Sequence, residues 1–340
     1  MEEAQFYKKL KNNETQCELC HHFCRIQAEQ TGVCGIRKNK KGELYSLNFG
    51  LPIAQNIDPI EKKPLFHFQP GSITYSLGTL GCNFRCKNCQ NWEISQIKDI
   101  NIEKEIKKLE LVLPQEIVKE ALGKECQSIS CTYNEPTVFT EYALEIMKLA
   151  RENGLKNVWV SNGYMSENCL GAILPFLDAI NIDLKSMDED FYIKNCGAEL
   201  NPILENLKIL KQEEIHLEIA TLIIPSLSDD KNMLKKMANF IVAELGDETP
   251  WHLSKFSPQI SWQLKDLKET PEEDIHEACD IGKKSGLKYV YVGNLPRDAK
   301  ENTYCPECEE LAIRRLGYYI ERFDNEGLCA KCGGDLNIIA

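Results

Sequence analysis

The 340-residue sequence has no run approaching 18 consecutive apolar residues, so no membrane-spanning helix is expected. Basic residues are in deficit: 40 Lys and Arg stand against 52 Asp and Glu, a formal net charge of -12. Phosphate binding needs a basic surface, so nucleic acid is not expected as a partner. The opening MEEAQFYKKLKNNE lacks the apolar centre of a signal peptide, and a cytoplasmic location is expected. One shortage is more informative than these. In GCNFRCKNCQNWE, Cys82, Cys86 and Cys89 form a C-x3-C-x2-C run with no nearby fourth cysteine or histidine.

Cysteine itself is not scarce, since there are sixteen. In a reducing compartment clustered cysteines are metal ligands sooner than disulfides. Cys17, Cys20, Cys24 and Cys34 form C-x2-C-x3-C-x9-C, with His21 and His22 inside the group. Four thiolates close either a zinc site or a fully ligated auxiliary iron–sulfur cluster; the sequence does not decide, although the short C-x2-C knuckle leans to zinc. Cys305, Cys308, Cys329 and Cys332 form C-x2-C-x20-C-x2-C, the pattern of a zinc ribbon, which holds together a segment too short to build a core. Cys126, Cys131, Cys169, Cys196 and Cys279 are scattered. Isolated cysteines are mostly small buried hydrophobes. Cys131, at a predicted strand end, and Cys196, in NCGAE, are the two candidates for a catalytic role.

The middle of the chain alternates strand and helix patterns. SITYSLGTL, SIS, NVWVSN, AINIDL, HLEIATLII, WHLSKF and YVYVG read as strands. Between them, apolar residues recur at helical spacing in PQEIVKEAL, over 139–150, over about 230–245, and in a helix headed by a capping box at Thr270, Pro271 and Glu273. The charge-rich stretch 97–111 reads as an exposed connection or helix. Repeated βα units imply parallel strands with right-handed crossovers. The expected fold is α/β, a partial (β/α)6-type TIM barrel over 71–300, with a doubly wound sheet as the alternative that periodicity alone does not separate from it. Cysteine-rich modules are expected at both ends, over 1–70 and 301–340.

A cubane iron–sulfur cluster takes four thiolates, so three leave one iron open to a small molecule. The loop that carries them follows the first barrel strand, where βα loops build active sites. This pattern resembles the radical S-adenosylmethionine (SAM) superfamily. The resemblance implies a [4Fe-4S] cluster on Cys82, Cys86 and Cys89 that binds SAM and cleaves it reductively to a 5'-deoxyadenosyl radical, which abstracts hydrogen from a substrate. It also implies SAM contacts from Asn134, Glu135 and Pro136 in YNEPTVF, Ser161 and Asn162 in VSNGY, Asp183 and Lys185 in INIDLK, and His252 in WHLSKFSP. Phe84 or Trp92 is expected to stack on adenine. CELCHHFCRIQAEQTGVCGIR, DPIEKKPLFHFQPGS and the terminal CPEC and CAKC knuckles resemble the radical SAM member of the AmmeMemoRadiSam system, a group similar to the pyruvate formate-lyase activating enzyme. That implies a flavodoxin- or ferredoxin-type electron donor, with Memo-like and AMMECR-type proteins as partners. Glycyl-radical activators carry an aromatic residue before the third cysteine, where this chain has Asn88, and can carry an Asp where it has Val160. An activase that installs a glycyl radical on a partner is therefore the alternative. A metal-ribbon interaction or electron-transfer protein is a further one, weakened by the open ligand set.

Overall fold

The computed structural model describes residues 2–97 and 101–340. The amino-terminal module contains β1 (Glu2–Glu3), β2 (Tyr7–Lys9), β3 (Thr15–Cys17), β4 (Arg25–Ile26), β5 (Arg37–Lys40) and β6 (Glu43–Ser46). They form two small antiparallel sheets, ordered β2-β3-β4 and β1-β6-β5. Arg37 of β5 is buried and forms a bidentate pair with Glu141, at 2.7 and 2.5 Å, fastening the module to the barrel's helix layer.

The centre is an eight-stranded sheet in unbroken sequential order. Its antiparallel edge is β7 (Ala54–Pro59). The parallel strands are β8 (Ile73–Gly78), β9 (Ser128–Cys131), β10 (Lys156–Ser161), β11 (Ala179–Asp183), β12 (His216–Ile223), β13 (Trp251–Lys255) and β14 (Val290–Gly293). Helices α1 (Pro114–Gly123), α2 (Thr140–Glu152), α3 (Glu167–Ile173), α4 (Asn201–Gln212), α5 (Lys231–Phe240) and α6 (Glu272–Lys284) connect them in turn. This is the expected partial barrel, open between β14 and β7. Strand β9 is buried on both faces although Ser128, Ile129, Ser130 and Cys131 alternate in polarity, as a strand covered on both sides can. Helix α2 buries Tyr142, Ala143, Ile146, Met147 and Ala150 on its inner side.

Three details depart from expectation. Residues 54–59, assigned above to the amino-terminal module, join the barrel sheet as β7. The capping box at Thr270 does not form, because α6 starts at Glu272. The Thr270 hydroxyl instead donates to the Ile223 carbonyl and accepts from the Phe256 N–H, pairing backbone groups left over at two strand ends. Of the charge-rich segment 97–111, Ile102–Ile106 is a short helix, while 98–100 lie outside the described residues.

The carboxy-terminal module, β15 (Thr303–Tyr304), β16 (Leu311–Leu316) and β17 (Tyr319–Arg322), contains a hairpin that turns at Gly317. It packs beneath the amino-terminal ends of the barrel strands. Segment 66–69 lies between module and barrel, where Ile339 donates to the His67 carbonyl and Gln69 donates to Ile339. The centre of this floor is Glu218 of β12, fully buried. Its carboxylate accepts from the Phe66 and His67 N–H groups and from the Nε2 atoms of His216 (2.9 Å) and His252 (2.6 Å). Burial alone would raise this carboxyl, but the two imidazole hydrogen bonds outweigh it and hold the group well below the usual carboxylate range. His67, completely enclosed, bonds Tyr291 and the Leu336 carbonyl. Burial lowers its pKa to about 3.

His67 therefore remains neutral in the fold at pH values where the unfolded chain takes up a proton. Its contribution is fully present above about pH 6.5 and is lost as pH falls towards about 3, at up to roughly 1.4 kcal/mol per pH unit. The depressed Glu218 carboxyl loses stability in the same direction at the acid end. Denaturant melts between pH 7 and 4 should show this slope, and His67→Gln should flatten it. A flat wild-type profile would contradict the buried neutral imidazole.

Candidate functional site

Strand β8 runs directly into the loop that carries the three cysteines. Gly78 and Gly81 let that loop lie close to its neighbours. A Cβ on Gly78 would sit 2.6 Å from the Thr132 carbonyl, and one on Gly81 would sit 2.3 Å from Ile36, at a φ of +96°. Opposite, Tyr133 holds a φ of +70°, a strained setting for a bulky residue, and its hydroxyl donates to Asp58. This strain turns the chain so that Asn134 clamps the loop, accepting from the Thr79 N–H and donating to the Gly81 carbonyl at 2.7 Å.

Glu135 comes next, 2% exposed. One oxygen accepts from the Thr137 N–H, the Thr137 hydroxyl and the Ser161 hydroxyl, and the other from the Asn162 N–H. Three of these bonds crowd one oxygen and the fourth falls on the other, so most of the carboxylate's acceptor capacity is used. Glu135 thus caps the turn that Pro136 opens and joins the ends of β9 and β10. Asn162 continues the chain of contacts by donating to Asn83 Oδ1 at 2.7 Å, beside Cys82.

The cysteine loop is held on two sides. Arg85 and Lys87 donate backbone N–H groups to the carbonyls of Cys196 and Asn195, which end a π-helical turn at Tyr192–Cys196. Trp262 and Gln263, after β13, donate to the carbonyls of Cys89 and Lys87. The Phe84 N–H points at Cys82 Sγ, 3.4 Å away. Burial pushes the Cys82 thiol well up and that of Cys89 to about 11, so these thiols ionise only with help from a cation. Lys185 acts on Cys86, Cys89 and Cys196, and binds Asp183 at 2.8 Å.

Asn134, Glu135, Pro136, Ser161, Asn162, Asp183 and Lys185 all gather with the three cysteines at the carboxy-terminal ends of β8–β11. Cys196 joins them, close enough to Cys86 for the two thiols to affect each other's ionisation. His252 does not. It is the second residue of β13 and lies in the floor against Glu218, at the opposite end of the barrel. Cys131 is also elsewhere: alternation along β9 turns it to the helix layer, beside Tyr142 of α2. Phe84 is buried against Tyr164 and Tyr192, so it offers no face to an adenine. Asp183, in contrast, keeps 43% of its side chain exposed. Asn83, Tyr133, Trp262 and Gln263 belong to the site without having been singled out in the sequence. Only Asn83, between the first two cysteines, had a positional clue.

The other cysteine groups differ in spread. Cys305 lies 3.5 Å from Cys332 and Cys308 lies 3.6 Å from Cys329, sulfur to sulfur. All four sulfurs lie within 4.8 Å of one another, a one-ion site. Cys17, Cys20, Cys24 and Cys34 line a common cavity. Among the described residues, no helix is long and apolar enough to cross a membrane.

Residues 77–241 match the family model described as the radical SAM superfamily. The chain is 43% identical, over the full length of both proteins, to an uncharacterized protein of Methanocaldococcus jannaschii. It is 25% identical to the pyruvate formate-lyase-activating enzyme of Clostridium pasteurianum over 204 residues, 57% of this chain and 83% of that one. In fold it is similar to a radical SAM methyltransferase from Sphaerobacter thermophilus, with a TM-score of 0.50 and 13% identity over 72% of this chain and 71% of that one.

The hydrogen bonding of Glu135 leads to a direct expectation. In Glu135→Gln an amide N–H2 replaces one acceptor oxygen and faces a donor, so the variant should lose about 1–3 kcal/mol of stability with its iron content intact. Unchanged denaturation would show that the carboxylate is free to serve a ligand.

Proposed function

Because the chain belongs to the radical SAM superfamily, we propose that this radical SAM enzyme generates a 5'-deoxyadenosyl radical over Cys82, Cys86 and Cys89 and abstracts hydrogen from a substrate held above them. The observation that carries this reading is the incomplete thiolate run at the end of β8, gathered with the ends of β9–β11. The donor set fits a [4Fe-4S] cluster: three soft sulfur ligands, a backbone N–H directed at Cys82, and the Lys185 cation near Cys86 and Cys89. When bound, such a cluster supplies the electron that cleaves SAM to methionine and the deoxyadenosyl radical.

The chain's own residues divide the remaining work. Asn134, Glu135, Ser161 and Asn162 are taken up in mutual hydrogen bonds, so they set the position of the cysteine loop. Pro136 fixes the turn behind them. Asp183 and Lys185 stand at the rim with opposite charges, suited to the ammonium and carboxylate ends of an amino-acid ligand. Trp262 is partly exposed beside Cys89 and suits a planar base better than buried Phe84. Cys196 is fully buried against Cys86, which favours a positioning role below the cysteine loop over contact with substrate.

The carboxy-terminal site suits zinc, whose four thiolates stand about 3.8 Å apart when each is about 2.3 Å from the ion. Reduction calls for a flavodoxin- or ferredoxin-type donor. Memo-like and AMMECR-type partners rest on the sequence resemblance alone. The likeness to an activating enzyme favours a second reading, in which the hydrogen comes from a glycine of a partner protein. Family membership speaks against a purely electron-carrying or interaction role.

Anaerobically reconstituted protein given SAM and a strong reductant should form 5'-deoxyadenosine. Replacing Cys82, Cys86 and Cys89 together by Ala should abolish it, while Cys131→Ala should leave the rate within about threefold, under 1 kcal/mol of barrier. Product formation by the triple variant would refute the assignment.

A further inference from the structure

We propose that Cys17, Cys20, Cys24 and Cys34 hold a second cubane iron–sulfur cluster, seated against the loop that carries Cys82, Cys86 and Cys89. The proposal goes beyond the SAM site and does not depend on its chemistry.

One chain carries two four-cysteine groups, and they have different dimensions. The carboxy-terminal four converge within 4.8 Å, as ligands of a single ion must. Among the described residues, no three sulfurs of the amino-terminal four meet that limit, although all four border one cavity. A cubane places four irons and four sulfides between its thiolates, and so holds them farther apart than one ion does. Cys82, Cys86 and Cys89 are likewise too widely spread for a single ion.

Arg37 and Asn83 both border this cavity, each only 1% exposed. Among the described residues, Arg37 Nε and Asn83 Nδ2 have no hydrogen-bond partner. Arg37 already satisfies Glu141 with its other nitrogens, so its orphan N–H is not a missing ion pair. Buried donors without acceptors are rare in folded proteins. Sulfide and thiolate sulfurs in the cavity would provide the acceptors, and hydrogen bonds to sulfur are a normal part of cluster sites. His22 is not a fifth ligand through Nε2, because that nitrogen donates to the Asn83 carbonyl at 2.8 Å.

The two cysteine groups share a wall. Gly81 lies so near Cys34 that a Cβ would approach the Cys34 carbonyl to 2.8 Å. Arg85 donates to the Val33 carbonyl, and Asn83 belongs to both sites. A structural zinc knuckle has no need of this adjacency, whereas a redox cluster is useful only where it lies near its partner.

The test uses the full chain with Cys82→Ala, Cys86→Ala and Cys89→Ala combined, reconstituted anaerobically with iron and sulfide. That variant should retain about four irons and about one zinc per chain, with visible charge-transfer absorption and an electron paramagnetic resonance signal after reduction. Adding Cys17→Ser and Cys34→Ser should remove the iron and leave the zinc. Two zinc ions and no iron in the triple variant would overturn the proposal. If the triple variant precipitates, wild-type protein decides the matter: about eight irons with one zinc supports the second cluster, and about four irons with two zincs refutes it. Wild-type protein with eight irons but no 5'-deoxyadenosine would count against the SAM reading alone.

Discussion

The upper half of the molecule depends on the carboxylate of Glu135. A charge buried this deeply is tolerated only when it is hydrogen-bonded, and four donors from two neighbouring strand ends satisfy it. Because Thr137 and Asn162 meet on one side chain, the ends of β9 and β10 cannot shift independently. Through Asn162 and Asn83 the same constraint reaches the cysteine loop. Glu218 repeats the device at the floor, where its partners are two histidines and the backbone of segment 66–67. The barrel is therefore fixed at each end by one hydrogen-bonded carboxylate, and only the upper one adjoins the cysteines.

Much of this architecture is legible from periodicity. Each barrel strand appears as a short β-rich run, and each crossover helix other than α3 and α4 as an apolar stripe. The three-cysteine loop lies where a strand ends, so its place at the barrel mouth follows from the sequence. His252 shows where such reading stops. Its position within WHLSKF indicates a strand and an interior face, but not which end of the barrel receives it. The partner that decides the matter, Glu218, lies 34 residues away. Cys131 is misjudged for a related reason: a strand end places a residue near the mouth, yet alternation turns its side chain outwards. Glu135 is found in the right place but already engaged by donors from β10, which no local pattern announces. Trp262 and Gln263 reach the cysteine loop through a long excursion after β13, and irregular chain leaves no periodic signal.

The terminal modules serve opposite ends of the barrel. The amino-terminal one is fastened by the buried Arg37–Glu141 pair, a contact that strongly destabilises if only one partner is removed. That pairing brings its cysteines beside Gly81 and Asn83 at the mouth. The carboxy-terminal module closes the floor, where Arg315 stacks over Phe66 and donates to the Phe66 carbonyl. Its metal-sized sulfur site lies in a hairpin with few buried apolar residues, which needs the cross-link to hold its shape.

That floor bears on how the chain reaches its native state. His67 finds its carbonyl partner 269 residues later, and Phe66 meets Arg315 across 249. Segment 66–69 cannot take its final setting until nearly all the remaining chain has been synthesised. Contacts of such separation incur a large loop-closure entropy and slow the last stage of folding. During synthesis most of the barrel mouth, all but the Trp262–Gln263 clamp, comes from residues before 200 and can order while the floor is still open. The two ends of the barrel thus differ in contact order, with the cysteine-bearing end the more local and the earlier to form.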